Sequence, residues 1–563
     1  MAYPTLPPAL IDSLRGIPGF DEQAFLAIHE KGPSITSIRF NPHKYGVLDR
    51  YGVLETIDDK QRLVAPEMGW SQVPWCREGW YLSSRPSFIT DPAWHAGLYY
   101  VQEASSMFLE QVFIQHAGGA TQGSVAEAPH GGAEAGDATQ GSAFEGDATY
   151  TAPSLKVLDA CAAPGGKSTH LQALIGKDGL LVSNEVIRTR VSILSENMQR
   201  WGGDNTVVTN NDPRDFGRLP GFFDVLVVDA PCSGSGLFRR EPEAIGEWSP
   251  SLVQLCSQRQ ERILSDLWGC LRQGGLLIYS TCSYSSEEDE QILDWLCRSF
   301  EVEPLPVATE AGWGIVEVRT ETGAYGYRFY PNRVDGEGFF VAALRKKDGI
   351  AGTRRGREVE GRWDGESSGK RSSEAPGKRG GETLGKRTGE TLGKRTGESL
   401  GKRMSEAPGK RGSESSGKRG GVALGKGWAE ALAPWIKEPD RYDFLQTGET
   451  IRAIPLWLSE DLAYLAQALH VRQAGVALGE WMRTELIPDA GLAFSLLLSP
   501  DVPRLELSRE QALAYVRKDE LRLEDAPKGW ALVTYGGHGL GWVKVLPGRI
   551  NNYYPKEWRV LKR

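Results

Sequence analysis

The sequence has no long apolar run and few cysteines. No uninterrupted hydrophobic stretch approaches the roughly 18 residues expected of a membrane span, so we expect no membrane partner. The first residues have neither the basic-then-apolar pattern of a signal peptide nor an amphipathic transit pattern. The seven cysteines are odd in number and include no C-x-x-C pair, which argues against a disulfide framework and a structural zinc site. We therefore expect a cytoplasmic protein without a bound metal.

The net charge of −8 averages over segments of very different composition. Residues 369–426 contain 15 Lys plus Arg against 6 Glu, whereas residues 116–153 contain five carboxylates and no Lys or Arg. The overall charge therefore neither supports nor excludes a nucleic-acid partner.

Composition divides the 563 residues into several parts. Residues 1–90 are expected to form a small α/β domain, with a helix at Asp21–His29 and a strand at Ser37–Phe40. The Gly-, Ala-, Thr- and Ser-rich residues 116–153 cannot bury a core, which predicts a disordered insertion.

Residues 349–426 are predicted to be a linker, within which Gly-Lys-Arg recurs every eight residues from Gly369 to Gly417. The same repeat could instead be an arm that holds RNA phosphates by counterion release. Residues 427–563 regain a globular composition and end in a β-rich stretch. That stretch contains cations and aromatic residues, a combination typical of RNA binding.

The sequence pattern of the central part, residues 91–348, predicts a doubly wound, mostly parallel α/β sheet. From Leu155 to Arg345 strand-like and helix-like segments alternate, as in folds of this class. The predicted strands are Lys156–Ala160, Leu180–Ser183, Thr206–Thr209, Val225–Val228 and Leu276–Tyr279, the predicted helices Lys167–Leu174, Arg188–Trp201 and Pro250–Leu271, and the predicted closing strand pair Tyr325–Tyr330 and Gly338–Ala343.

A glycine-rich loop joins the first core strand to its helix, where a nucleotide or cofactor is expected. It consists of Cys161, Ala162, Ala163, Pro164, Gly165, Gly166 and Lys167, followed by Ser168 and Thr169. A phosphate-binding loop would need glycine in place of Cys161, and Pro164 removes an amide donor. The phosphate-loop NTPase hypothesis is therefore disfavoured, and we expect a loop that lets a ligand approach the backbone closely.

Three acidic residues follow the next strands of the predicted sheet. Glu185 follows the second strand, where a carboxylate suits the ribose hydroxyls of an adenosine, and Asp212 follows the third, within reach of an adenine amino group. Asp229 ends the fourth strand. A ribose site and an adenine site without a phosphate cradle indicate S-adenosylmethionine as cofactor.

Two cysteines occupy the ends of strand-like runs. Cys232 lies in Asp229-Ala-Pro-Cys-Ser-Gly-Ser-Gly236 and Cys282 in Tyr279-Ser-Thr-Cys-Ser-Tyr284. Ligands bind at the carboxyl ends of strands in open α/β sheets. Two soft nucleophiles at this edge indicate covalent catalysis with a second, assisting cysteine.

Together these motifs resemble those of the Nop/Sun family of RNA cytosine-5 methyltransferases. The resemblance covers residues 20–345. Tyr99-Tyr-Val-Gln-Glu-Ala-Ser-Ser-Met107 and Gly336-Glu-Gly-Phe-Phe-Val-Ala342 match the flanking motifs of the family. The segment from Tyr442 to Arg559 is similar to the PUA-like RNA-binding domain of the bacterial RsmF branch. The resemblance implies a Rossmann-like class I methyltransferase core with a C-terminal PUA-like, β-rich domain. It also implies that residues 1–90 form an N-terminal RNA-recognition domain. Asn332 departs from the family pattern, because many relatives have Pro-His where this chain has Pro331-Asn332.

The resemblance also implies residue roles and a target. Cys282 would attack carbon 6 of cytosine, Cys232 would act as base or assist release, and Asp229 would hydrogen-bond the base. The reverse assignment, with Cys232 as nucleophile, is the alternative, because DNA cytosine methyltransferases use a Pro-Cys motif. Lys167 is expected near the cofactor tail or the base.

We expect the target to be small-subunit (16S) rRNA, possibly within the 30S subunit, and the protein to act as a monomer. Two alternatives stay open at this point. The first is the same chemistry on tRNA, and the second is a non-catalytic ribosome-assembly factor that uses the fold to bind RNA.

Overall fold

The computed structural model describes residues 5–32, 35–45, 69–117, 154–347, 422–425, 427–523 and 526–562. Almost all of the predicted insertion at 116–153 and of the predicted linker at 349–426 lies outside these residues. Within the described ranges, no helix combines the length and the apolar character that a bilayer crossing requires.

The N-terminal part contains a four-stranded antiparallel sheet in the order β2-β3-β1-β4. Its strands are β1 (Ser37–Phe40), β2 (Ser71–Gln72), β3 (Gly79–Tyr81) and β4 (Tyr99–Val101), and its helices are α1 (Pro8–Leu14), α2 (Glu22–Glu30), α3 (Pro42–Tyr45), α4 (Pro92–His95) and α5 (Leu109–His116). The predicted strand β1 is confirmed. The helix predicted from Asp21 begins one residue later, because the Asp21 carboxylate caps it by accepting a hydrogen bond from Ala24 N at 3.0 Å. Strand β4 lies beyond the boundary predicted at residue 90.

The central part confirms the predicted alternation of strands and helices. Its strands are β5 (Lys156–Asp159), β6 (Leu180–Asn184), β7 (Thr206–Thr209), β8 (Phe223–Asp229), β9 (Leu271–Thr281), β10 (Val302–Leu305), β11 (Val316–Arg319), β12 (Tyr325–Phe329) and β13 (Phe339–Lys346), and its helices are α6 (Gly166–Ile175), α7 (Arg188–Trp201), α8 (Pro250–Trp268) and α9 (Glu290–Ser299). Helix α8 ends three residues before the predicted Leu271, which instead opens β9.

Five central strands pair in parallel in the order β9-β8-β5-β6-β7, and β10 to β13 add antiparallel partners beyond β9. Successive strand residues point to opposite faces of the sheet. Val157 accordingly lies in one buried apolar cluster, with α5 and α6, while Leu158 lies in the other, with α8 and α9. The expected doubly wound, mostly parallel α/β core is confirmed.

The C-terminal part is rich in strands, as expected. It contains β14 (Val422–Ala423), β15 (Tyr442–Thr447), β16 (Thr450–Pro455), β17 (Val471–Ala474), β18 (Val476–Met482), β19 (Glu485–Pro488), β20 (Arg504–Glu506), β21 (Gly529–Tyr535), β22 (His538–Leu546) and β23 (Arg549–Asn552), with helices α10 (Gly427–Leu432), α11 (Ser459–Ala468), α12 (Ala490–Phe494) and α13 (Arg509–Arg517). One sheet has the order β14-β15-β16-β18-β19 and another the order β20-β21-β22-β23. Strand β14 lies within the range assigned to the linker, and its backbone pairs with β15.

The C-terminal part contacts both preceding parts. Strand β17 pairs antiparallel with β7 and so becomes the edge strand of the core sheet. The N-terminal sheet and the sheet of β20–β23 share a buried cluster that includes Phe40 and Tyr515. Arg200 of the core lies between two tryptophans, 4.9 Å from the ring centre of Trp94 and 4.9 Å from that of Trp558. No sequence pattern predicted these contacts.

Candidate active site

The three predicted motif loops meet at one edge of the core sheet. The glycine-rich loop follows β5, the Asp-Ala-Pro-Cys loop follows β8 and the Thr-Cys-Ser loop follows β9, and these strands are neighbours in the order β9-β8-β5. Strand β5 pairs in parallel with β6 on one side and with β8 on the other. The strand order therefore reverses direction at β5, and in such folds ligands bind at the carboxyl ends of the strands at this switch point.

The sulfur atoms of the two motif cysteines are in direct contact. Cys232 Sγ lies 2.9 Å from Cys282 Sγ, and both residues are half-buried. The hydrogen bond with Cys282, together with burial, raises the pKa of the Cys232 thiol well above its usual value. The structure therefore brings together the two cysteines that the sequence analysis singled out.

Close backbone contact between neighbouring loops requires the glycines of these motifs. Gly236 N donates to Cys282 O at 2.9 Å, and Gly338 N donates to Gly236 O at 2.9 Å. A Cβ at Gly236 would lie 2.4 Å from Gly338 O and 2.8 Å from Cys282 O, too close for any side chain. The Gly-Glu-Gly motif thus packs directly behind the cysteine loops.

The Glu103 carboxylate joins the two flanking motifs. It accepts hydrogen bonds from Glu337 N at 2.8 Å and from Ser106 N at 3.0 Å, and Ser105 Oγ donates to Glu337 O at 3.1 Å. Segments that are far apart in the sequence therefore form one wall behind the site.

A buried carboxylate that the sequence analysis missed links both cysteine loops. Glu288 Oε1 accepts from Ser233 N at 2.7 Å, and Glu288 Oε2 accepts from Ser233 Oγ at 2.5 Å and from Ser283 Oγ at 2.6 Å. Each serine directly follows one of the cysteines. Burial raises the pKa of the fully buried Glu288, while these hydrogen bonds oppose the rise. Glu288 belongs to an acidic run, 287–290, which the sequence alone does not distinguish from a solvated helix start.

The same acidic run anchors the strand end that carries Cys282. Asp289 Oδ1 accepts a hydrogen bond from Thr281 Oγ1 at 2.6 Å. Arg328 Nη2 lies 3.3 Å from Asp289 Oδ2, and its guanidinium also pairs with Glu290 and donates to Tyr284 O at 2.9 Å. These bonds hold the backbone on both sides of the nucleophile candidate.

Lys167 and Asp229 form an ion pair beside the cysteines. Lys167 Nζ lies 2.8 Å from Asp229 Oδ2, and Ser280 Oγ donates to Asp229 Oδ1 at 2.8 Å. Burial lowers the pKa of Lys167, but the charge and hydrogen bond of Asp229 outweigh it, so the pKa lies above its usual value. Lys167 is therefore a cation at neutral pH and lies in contact with a predicted catalytic carboxylate.

The phosphate-loop hypothesis does not agree with the environment of Ser168. In such a loop this hydroxyl would bind Mg²⁺, whereas here Ser168 Oγ donates to Asp159 Oδ2 at 2.7 Å and is fully buried. Burial raises the pKa of Asp159 to about 7. Asp159 Oδ1 is buried and has no hydrogen-bond partner among the described atoms. Its position at the end of β5 was not recognised from the sequence.

The glycine-rich loop is held from helix α7. Arg190 Nη2 donates to Ala163 O at 2.6 Å, and Asn197 Nδ2 donates to Pro164 O at 2.7 Å. Gly165 adopts a φ of 118°, which favours glycine, and α6 begins at the next residue, Gly166. The remaining members of the predicted loop, Cys161 and Ala162, follow β5, with Cys161 half-buried and Ala162 buried.

The two further acidic residues lie after adjacent strands at the same edge. Glu185 follows β6 and is buried, with Oε1 accepting from Ile187 N at 2.8 Å and Oε2 lying 3.3 Å from Arg190 Nη1. Asp212 follows β7 and accepts from Arg214 N at 3.2 Å. Both side chains therefore lie along the edge that also carries the glycine-rich loop.

A separate buried group contains three side chains of the metal-ligand type. Glu110 Oε2 lies 2.9 Å from His170 Nε2 and 3.1 Å from Cys76 Sγ. Burial lowers the pKa of His170 to about 4, and the charge of Arg39 contributes in the same direction. The contacts of Glu110 are hydrogen-bond distances, and a nearby guanidinium disfavours a cation. The expectation of no bound metal stays a prediction.

Three family models match successive parts of the chain. The N-terminal domain of 16S rRNA methyltransferase RsmF matches residues 6–104, 16S rRNA methyltransferase RsmB/F matches residues 151–345, and the methyltransferase RsmF PUA domain matches residues 502–560.

Individual proteins of known name and structure are also similar. The chain is 33% identical to the ribosomal RNA small subunit methyltransferase F of Erwinia tasmaniensis over 60% of this chain and 63% of that relative. It is 33% identical to the protein of the same name from Psychromonas ingrahamii over 61% of this chain and 63% of that relative. The matched region thus spans less than two thirds of either relative. A crystallised methyltransferase homolog protein from Pyrococcus horikoshii is 26% identical, with coverage of 61% of this chain and 100% of that chain and a TM-score of 0.42. The three models match in one order along this chain, which is therefore similar over successive regions to the N-terminal, methyltransferase and PUA domains of 16S rRNA methyltransferases of the RsmF type.

Proposed function

We propose that this protein is an S-adenosylmethionine-dependent RNA methyltransferase that forms 5-methylcytosine in small-subunit (16S) rRNA. The observation that carries the proposal is the 2.9 Å contact between Cys232 and Cys282, beside the Lys167–Asp229 ion pair. A pair of thiols at the carboxyl edge of the sheet suits a reaction in which one forms a covalent bond and the other assists its cleavage.

The residues present suit the cofactor. The loop 161–167 turns through Gly165 at positive φ, and the carboxylates of Glu185 and Asp212 lie after the next two strands, where the ribose and the adenine are expected. Asp159 adds a buried oxygen without a described partner behind the loop. When bound, S-adenosylmethionine supplies an electrophilic methyl group.

Cys282 is assigned the role of nucleophile. Its thiolate adds to carbon 6 of cytosine, which makes carbon 5 electron-rich and able to accept a methyl group. The thiolate requires nearby positive charge or donors, and the Lys167 ammonium lies close enough for the charge of Cys282 to raise the pKa of Lys167. Asp229, paired with that ammonium, is positioned to accept a hydrogen bond from the amino group of the base.

Cys232 is assigned to product release. After methyl transfer, the proton on carbon 5 must leave while the bond between sulfur and carbon 6 breaks. A group in contact with Cys282 Sγ is positioned to assist this elimination, and Cys232 is in that contact. The hydrogen bond with Cys282 and burial raise the pKa of Cys232, which favours a protonated Cys232 at the start of the reaction.

The proposal is tested by transfer of labelled methyl from S-adenosylmethionine to naked 16S rRNA and to unmethylated small subunits, with nucleosides separated after digestion. We expect label in 5-methylcytidine, lost in Cys282→Ala and retained in Cys297→Ala, a half-buried cysteine of α9. Activity that survives Cys282→Ala but not Cys232→Ala would reverse the two roles. Label in tRNA alone would change the target, and label in no RNA would favour the non-catalytic assembly factor.

A further inference from the structure

A basic pocket lies between the N-terminal part and the C-terminal sheets, formed by elements that are distant in the sequence. It encloses about 240 Å³, and five basic side chains line it: His43, Lys44, Lys437, Arg504 and His538. None of the described lining residues is acidic. Helix α3, the end of α12 with the segment that follows it, and the β21–β22 hairpin each contribute to its wall.

Lys44 is half-buried and has no carboxylate partner among the described residues. Its Nζ donates to Ala96 O at 2.7 Å and to Arg200 O at 2.7 Å, so two carbonyl oxygens hold it in place. Burial lowers the pKa of Lys44 to about 7, and the charge of Arg200 adds to this effect. Buried charges in proteins are usually paired, because desolvation without a counter-ion costs several kcal/mol. An anion bound in the pocket would favour the charged form of Lys44 and raise this pKa.

Other lining groups point to the same ligand. His43 Nε2 is buried and has no hydrogen-bond partner among the described atoms. Burial lowers the pKa of His538 to about 4, and the charges of Lys44 and Arg504 act in the same direction. Arg504 and Lys437 are exposed at the pocket, and neither forms an ion pair with a described residue. An anion would relieve the mutual repulsion of these groups.

We propose that this pocket binds one phosphate group of the RNA backbone. The pocket is large enough for a phosphate, and phosphate oxygens accept hydrogen bonds from Lys, Arg and His donors. Because the wall is made by both the N-terminal and the C-terminal parts, a phosphate there fixes the RNA relative to both. The inference rests on the proposed function, since it takes RNA as the partner of the enzyme.

The test compares two double variants of the full-length protein. Arg504→Gln with Lys437→Gln removes the two exposed pocket charges. Arg549→Gln with Lys528→Gln, also exposed and without ion pairs to described residues, removes the same charges from another part of the C-terminal sheet region. Binding to naked 16S rRNA is measured by filter retention between 50 and 200 mM salt. All four side chains are exposed, so unfolding midpoints should stay unchanged.

We expect the pocket variant to bind about tenfold more weakly at low salt and to lose about one unit from its log–log salt slope. The control pair should retain the wild-type slope. An unchanged slope in the pocket variant, or an equal loss in the control, overturns the proposal. Since binding is measured without methyl transfer, an inactive wild-type protein with the expected slopes would refute the proposed reaction and leave the pocket assignment standing.

A second arm separates RNA from a small anion. Ring signals of labelled His43 and His538 are followed by NMR while inorganic phosphate or a short oligoribonucleotide is added. Shifts with the oligoribonucleotide at lower concentration than with phosphate support an RNA phosphate site. Saturation by inorganic phosphate, with no shift from the oligoribonucleotide, assigns the pocket to a free anion and overturns the proposal.

Discussion

The Glu288 carboxylate accepts hydrogen bonds from Ser233 and from Ser283. These serines directly follow the two motif cysteines, so one carboxylate binds both cysteine loops. The distance between the two sulfur atoms therefore depends on a side chain that touches neither of them. Glu288 is a positioning residue, and its effect should be separable from cofactor and RNA binding.

Glu288→Gln should lower kcat at least tenfold and leave the KM for RNA nearly unchanged. The amide has similar shape, but its nitrogen is a donor that faces hydroxyl and amide donors, which leaves one bond unmade. Loss of charge-assisted bonds should also lower the free energy of unfolding by about 1–3 kcal/mol. Steady-state kinetics and urea unfolding measure both quantities. Glu287→Gln, the half-buried neighbour, is the matched control, and an equal fall in kcat there would exclude a positioning role for Glu288.

Cys232→Ala should accumulate a covalent protein–RNA complex. If Cys232 assists elimination, its removal lets the Cys282 bond to carbon 6 form but slows its cleavage. A band of reduced mobility that survives denaturing electrophoresis and disappears after RNA digestion is the expected result. The double variant Cys232→Ala with Cys282→Ala should give no such band. A band in that double variant would mean that neither cysteine forms the bond.

Asp159 should make stability decrease as pH rises. Its folded-state pKa of about 7 lies above the roughly 3.9 of an unfolded Asp, so the folded protein retains a proton that the unfolded chain has lost. The contribution is full below pH 4, falls as pH rises, and is lost above pH 7. It amounts to about 4 kcal/mol at most, from about 1.4 kcal/mol for each pKa unit.

Urea unfolding of the ligand-free protein at several pH values measures this effect. Asp159→Asn retains an oxygen that can accept the bond from Ser168 Oγ, but it cannot titrate. The variant should therefore show a smaller fall in stability between pH 5 and pH 7.5 than the wild-type protein. Identical pH profiles would show that Asp159 does not titrate in this range.

Trp558→Ala should destabilise the protein by about 2 kcal/mol. The substitution removes a half-buried ring that lies 4.9 Å from the Arg200 guanidinium and packs against Tyr554. Thermal or urea unfolding gives the change. Trp457→Ala, at an exposed site with 41% of its surface accessible, should cost about 0.5 kcal/mol or less. Equal losses at both positions would contradict a specific role for the Arg200 stack.

Much of the core could be predicted because its signals are local. Apolar runs such as Val225–Val228 mark buried parallel strands, and the residues that follow them lie at a common edge, which placed Cys232 and Cys282 together. The contact of Lys167 with Asp229 could not be predicted in the same way, because it depends on the direction of side chains across two loops. The role of Glu288 was missed because its charge predicts exposure, whereas its burial depends on donors from two other segments.

The pairing of β17 with β7 could not be predicted for a different reason. Strand β17 has only four residues, and nothing in its sequence identifies the partner strand. Helix α11, which precedes β17, packs against the core, where Leu462 and Leu465 join the same buried cluster as Val207. These tertiary contacts bring β17 to the β7 edge, and they are not visible in the sequence of β17.

Because β17 pairs with β7, the core sheet can be completed only late in the synthesis of the chain. A ribosome makes β7 long before it makes β17, so the β7 edge of the core sheet has no strand partner until residue 474 has emerged. An open edge of this kind can pair with other chains, and closing a loop of such length slows folding. A polypeptide truncated before β17 should therefore associate with itself through the β7 edge, whereas the finished chain covers that edge with its own strand.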